Sequence, residues 1–149
     1  MQNSSTRRSA GFILFHDDEG SRRYLLLQHT NGAHWSFPKV TIEDGETIKD
    51  TALRELFEET GISQIEIIDG FTEIEKYSFV ENGQTIHKEV VYFLARVKQK
   101  SVTLSWEHLQ YKWLPFSKAL EQLTFDTMKS LLRKAEEFLR ETEVSAQNS

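Results

Sequence analysis

The feature that most constrains this chain is the stretch between Thr47 and Gly61, which holds neither proline nor glycine. Thr47 followed three residues later by Asp50 is a helix-capping signal, and Gly61 supplies a left-handed stop. At about 100° per residue, Ala52, Leu53, Leu56, Phe57 and Thr60 fall on one arc, while Glu55, Glu58 and Glu59 share another. The expected helix buries the first arc and presents three carboxylates on the second. Carboxylates at i, i+3 and i+4 repel by about 0.2–0.5 kcal/mol per contact, so an offsetting cation is expected. Arg54 paired with Glu58 on a plain solvated face would serve, and so would a divalent metal ion.

The flanks sharpen the choice. Upstream lie Pro38 and Lys39, then a polar loop with Glu43, Asp44 and Gly45, then Glu46, with seven residues between Glu46 and Arg54. This arrangement resembles the Nudix box, G-x5-E-x7-R-E-U-x-E-E-x-G-U with U a bulky aliphatic residue, at Glu46, Arg54, Glu55, Leu56, Glu58, Glu59, Gly61 and Ile62. Val40 stands where the pattern opens on glycine. The resemblance implies an α/β fold, a Nudix-type α/β/α sandwich with a mixed β-sheet between helices. It also implies a hydrolase that uses magnesium, with manganese as a substitute, to cut a diphosphate linkage in a nucleotide-like small molecule. In that family's terms Glu55 and Glu59 are the principal metal ligands, Glu58 is a further ligand or the base, the Lys39 backbone carbonyl faces the metal, and Arg54 holds Glu46 in a salt bridge.

The chemistry favours these residue types independently. A polyphosphate repels an incoming hydroxide, and positive charge near the attacking and leaving oxygens relieves that repulsion. Magnesium is hard, takes oxygen ligands and is usually held by one or two carboxylates plus substrate phosphates, whereas histidine or cysteine clusters would indicate zinc. Valine at the entrance of a loop that normally needs glycine is expected to store about 1–3 kcal/mol of strain if the loop keeps the family conformation.

A chain of 149 residues, 38% hydrophobic and 28% charged, is long enough for one domain with a real core. Its net charge of −5 argues against a general nucleic-acid binder without arguing against a nucleotide, whose charge metal ions offset. There is no cysteine, hence no disulfide and no thiolate zinc site, which is compatible with a cytoplasmic location. The apolar runs at 11–15 and 24–27 are strand-length, far short of the ~20 residues of a membrane span. The expected organisation is a polar tail over 1–9, a single domain over 10–142 and a second tail over 143–149. Within the domain, a turn at 16–20 joins two strands, and Asn82-Gly83 joins a strand ending near 80 to another over 86–97. Residues 102–106 and 112–114 read as weaker strands, followed by helices over 117–123 and 125–141, the second with Met128, Leu131, Leu132, Ala135, Phe138 and Leu139 on one face.

The stretches YLLLQHTNGAHWSFPK, DGF, KEVVYF, SWEHLQYKWL and FDTMKSLL together resemble the asymmetric diadenosine tetraphosphate hydrolases within that family. This implies conversion of diadenosine tetraphosphate to ATP and AMP by water attack on phosphorus. It further implies that Glu107 adds a carboxylate from outside the box, that His34 supports a phosphate, and that Lys39 and Lys88 contact phosphates. Tyr77, Tyr111 and Phe125 offer faces on which adenine could stack, with Trp35 and Trp113 packed beneath. The plain alternatives are a surface glutamate, a loop histidine, solvated lysines and core aromatics. Rival functions are an RNA 5′-pyrophosphohydrolase, which needs a basic track, and a Nudix-fold nucleotide-binding module without catalysis, for which Val40 is the only sequence argument.

Overall fold

The computed structural model describes residues 4–18, 20–42, 45 and 47–147. Eight strands form one mixed sheet: β1 (Ser4–Asp18), β2 (Ser21–His29), β3 (Trp35–Ser36), β4 (Lys39–Thr41), β5 (Ile65–Ile67), β6 (Glu73–Glu81), β7 (Gln84–Val97) and β8 (His108–Pro115). Helices α1 (Ile48–Thr60), α2 (Phe116–Gln122) and α3 (Asp126–Gln147) cover it. The central order is β3-β2-β1-β7-β5, with β4 on β1, β6 on β7 and β8 on β2. Among the described residues only the long β1–β7 pair is parallel, and it forms the spine of the sheet.

Strand alternation divides the core in two. Ile13, Phe15, Tyr24, Leu26, Val90, Tyr92 and Leu94 point to one face, where Ala119 and Leu123 of the α2 region and Met128, Leu131, Leu132, Ala135 and Leu139 of α3 close over them. Phe12, Leu14, Leu25, Leu27, Ala95 and Val97 point to the other, against Ala52 and Leu56 of α1. Because both faces are covered, residues 12–15 and 24–27 read as unbroken apolar runs. The α/β/α arrangement expected from the sequence is present, and so are both hairpins.

Four local expectations are corrected. The stretch read as an N-terminal tail is strand from Ser4, because its backbone pairs in parallel with β7 from Ser4↔Thr85 onward, a partner about eighty residues away in the chain that local polarity does not reveal. At the other end α3 continues to Gln147, with Glu143 in an ion pair with Arg22. Residues 102–106 form no strand: Val102 and Leu104 face the core, but the amides of Thr103 and Ser105 donate to the carbonyls of Thr60 and Glu59 at 2.8 and 3.0 Å, capping the end of α1. Phe57, placed by periodicity on the buried arc, is 53% exposed, since it lies at the edge of the stripe that Ala52 and Leu56 bury.

Candidate active site

Helix α1 begins and ends as its sequence dictates. The Thr47 hydroxyl accepts from the Asp50 amide, and Gly61, at φ 73°, donates its amide to the Phe57 carbonyl. With one face held in the core, Glu55, Glu58 and Glu59 are presented together on the other. Arg54 forms the i, i+4 ion pair with Glu58 at 3.1 Å, both side chains about half exposed. Glu46, its expected partner, lies outside the described residues.

The loop that caps α1 carries Glu107. The Glu107 carbonyl accepts from both the amide and the hydroxyl of Thr30, at 3.0 and 3.1 Å. So placed, Glu107 acts on Glu59, whose carboxyl is pushed up to about 7 by burial first, then by the charges of Glu107, Glu55 and Glu58. One Glu59 oxygen, Oε2, is buried without a hydrogen-bond partner. A buried carboxylate oxygen with no donor, acted on by the charges of Glu107, Glu55 and Glu58, is a hard oxygen donor that suits a divalent cation. Among the described residues no group of three or more His, Cys, Asp or Glu side chains is placed so that it could hold a metal ion by itself. Magnesium does not require one, since it keeps waters and takes substrate oxygens as ligands.

Strand β4 lies beside this cluster. Phe12 donates to the Pro38 carbonyl at 2.9 Å and Ile42 to the Arg8 carbonyl at 3.0 Å, so even-numbered residues bond to β1 and the Lys39 carbonyl turns away from it. Val40 pairs with Ala10, is extended and is 2% exposed in the α1-side core. It is absent from the left-handed residues among those described, Ala33 and Asn82 being the non-glycine ones. The strain expected at Val40 is therefore not there, because the residue belongs to a strand rather than to a turn.

On the α3 side of the sheet a cavity of about 430 Å³ holds several of the residues singled out from the sequence. His34, Lys39, Tyr77 and Phe125 line it. Lys39 sits below the usual ammonium range because it is buried, with Glu75 opposing the shift. Lys88 is lowered likewise by burial, then by Lys39 and Arg7. The cavity floor is Tyr92, which lies over the backbone of Gly11: a Cβ there would stand 2.3 Å from the Tyr92 ring. Tyr111 is not brought to the cavity. It pairs with Leu27 and projects, with Trp113, to the α1 face. Trp35 is buried in the α3-side core and Trp113 is partly buried against the other.

Sequence reasoning missed the residues that join cavity to carboxylates. A register shift at Gln28/His29 sets His29 between two other imidazoles, stacked on His34 at 4.4 Å and tilted against His108 at 4.8 Å, with its Nε2 3.0 Å from the Ser36 hydroxyl. Burial, then His108, His34 and Lys39, lower His29 to about 4, so this ring is neutral at physiological pH. His108 follows Glu107 directly, so the three rings run from the acidic cluster to His34 on the cavity wall, where Phe125 lies 5.3 Å away. Nothing local marks His29 and His108 as neighbours, since the two strands that carry them are far apart in the chain.

Comparison with known proteins agrees with this architecture. The NUDIX domain family matches residues 5–135. The bis(5′-nucleosyl)-tetraphosphatase [asymmetrical] of Mus musculus is 38% identical over 146 residues, covering 91% of this chain and 97% of that protein. The Sus scrofa protein of the same name is 39% identical over 143 residues, covering 89% and 95%. The crystal structure of a C. elegans Ap4A hydrolase binary complex superposes with a TM-score of 0.79 at 33% identity, covering 90% of this chain and 98% of that one. With the box residues Arg54, Glu55, Glu58 and Glu59 gathered on α1 and the match spanning nearly all of the sheet and helices, this chain belongs to the Nudix hydrolase family.

Proposed function

We propose that this protein hydrolyses dinucleoside polyphosphates, above all diadenosine tetraphosphate to ATP and AMP, with magnesium as its cofactor. The observation that carries the reading is Glu107, held by Thr30 so that its charge acts on Glu59, next to a cavity lined by both cations and aromatic rings. The relatives named above support the substrate, and the retained box glutamates support the chemistry.

Glu55, Glu59 and Glu58 are the residues to hold magnesium, with the Lys39 carbonyl turned outward as a further oxygen donor. Bound there, the ion supplies positive charge to the phosphate oxygens and to the attacking water. Lys39 and Lys88 draw the polyphosphate chain across the sheet, and His34 hydrogen-bonds a phosphate oxygen at the cavity wall. Tyr77 and Phe125 present faces to one adenine, which the cavity shields from water. Water adds to the phosphorus attached to one adenosine, its proton passes to Glu58 or Glu107, and the bridging bond breaks to release ATP from AMP. Arg54 keeps Glu58 in place through their ion pair.

The test is turnover of diadenosine tetraphosphate with magnesium, with products resolved by chromatography. Equal amounts of ATP and AMP are expected, and 5′-triphosphorylated RNA is expected to be a far poorer substrate. Two ADP, preference for the RNA, or binding without turnover would each remove this reading.

A further inference from the structure

The cavity face of the sheet does not stop at the cavity. The register of four adjoining strands sets its side chains in rows: Lys39, Gly11, Tyr92 and Glu73 in the first; Thr41, Ser9, Val90 and Glu75 in the second; Arg7, Lys88 and Tyr77 in the third; and Ser5, Ile86 and Phe79 in the fourth. Successive rows are about 7 Å apart and neighbouring strands about 4.8 Å. Arg7 and Lys88 therefore leave adjacent strands on the same side, and Lys88 stands between Arg7 and the Tyr77 that lines the cavity. Lys39 and Arg7 both act on Lys88: burial, then Lys39, then Arg7 weaken proton binding there, with Glu75 opposing. Arg7 reaches this position only because β1 extends to Ser4 along β7. It is half exposed and is met by Glu81 at the end of the β6–β7 hairpin, Nη2 to Oε2 at 2.5 Å.

We infer that Arg7 is a specificity-determining residue that extends the phosphate track beyond Lys88 and sets the length of polyphosphate this protein favours. This rests on the reading of the protein as a dinucleoside polyphosphate hydrolase. Short chains are held within the reach of Lys39 and Lys88. Longer chains cross the third row, where the planar guanidinium, released from Glu81, takes a phosphate oxygen pair in a fork that a lysine does not offer. Glu81 is thus a competitor that the substrate displaces. Phe79, in the fourth row with its ring centroid 6.3 Å from that of Tyr77, lies one row beyond Arg7 on the same face and borders the path of the longer ligand.

The test compares Arg7→Gln, Glu81→Gln and Arg8→Gln with the parent. Arg8 pairs with Glu89 and projects to the opposite face, so its replacement makes the same charge change away from the track. Binding of linear inorganic polyphosphates of three and six phosphates is measured by calorimetry, alongside kcat/KM for diadenosine tetraphosphate and hexaphosphate. Arg7→Gln is expected to weaken the long ligands by about tenfold relative to the short ones, the effect of one charge-assisted hydrogen-bonding site. Glu81→Gln is expected to strengthen the long ligands, and Arg8→Gln to leave the long-to-short ratio unchanged. Equal losses on both lengths, or the same ratio in Arg7→Gln and Arg8→Gln, would overturn the inference. The calorimetric arm decides it even if the parent turns over no dinucleoside polyphosphate, an outcome that would instead remove the proposed function.

Discussion

Replacing Glu59 by glutamine is expected to move stability and activity in opposite directions. The carboxyl has an ordinary value of 4.5 and is pushed up to about 7 in the folded chain by burial and by Glu107, Glu55 and Glu58. A folded-state value above the unfolded one means that the folded state holds the proton more tightly. The associated stability is complete below about pH 4.5 and is lost as pH rises through about 7. At pH 8 the full loss would be about 3 kcal/mol, and because the side chain is only partly buried, solvent screening leaves about 1–2 kcal/mol. Glu59→Gln removes the buried charge at similar volume. In the presence of a chelator the variant should melt about 3–6 °C above the parent at pH 8, with the gain shrinking toward zero at pH 4.5. Magnesium should raise the melting temperature of the parent more than that of the variant. Turnover should fall by about a hundredfold or more, since a ligand to the ion is lost. Thermal denaturation across pH, with and without magnesium, checks the whole scheme. A variant less stable than the parent at pH 8 in chelator, or a gain independent of pH, would show that burial and the neighbouring glutamates do not raise the proton affinity of Glu59 in the folded site.

Three further outcomes follow from the geometry. Val40→Gly should lower stability by about 2–4 kcal/mol through lost burial and added chain freedom, with the magnesium requirement unchanged; denaturant titration beside a magnesium titration would reveal the opposite pattern if the backbone there were strained. Gly11→Ala would drive a methyl group to 2.3 Å from the Tyr92 ring, so the ring must move into the cavity, at a cost of about 1–3 kcal/mol and with a raised KM; an unchanged KM would mean that Tyr92 is not the cavity floor. Tyr77→Ala should raise KM for diadenosine tetraphosphate about tenfold if a base stacks on it, and steady-state kinetics with no such rise would leave Phe125 as the platform.

The chain announces α1 on its own because a helix is a local object. Its period, the Thr47 cap, the Gly61 stop and the shared face of Glu55, Glu58 and Glu59 all follow from spacing within a few turns. The core strands are nearly as legible, since burial on both faces leaves unbroken apolar runs. What tertiary structure decided are relations between segments far apart in the chain. The partner strand turned a polar tail into the edge that carries Arg7, and the end of α1 took the amides of Thr103 and Ser105 from the stretch 102–106 that reads as a strand, bringing Glu107 to Glu59. Pairing with β1 made Val40 an ordinary core valine, and the sheet faces sent Tyr77 to the cavity but Tyr111 to the opposite side. The His34–His29–His108 cluster depends on a one-residue register shift between β2 and β8, where Leu109 is passed over, and the cavity floor depends on Gly11 lacking a side chain under Tyr92. Register and long-range pairing are set by which backbone amides and apolar faces meet once the whole chain is collapsed, and those energies leave no periodicity in any one segment.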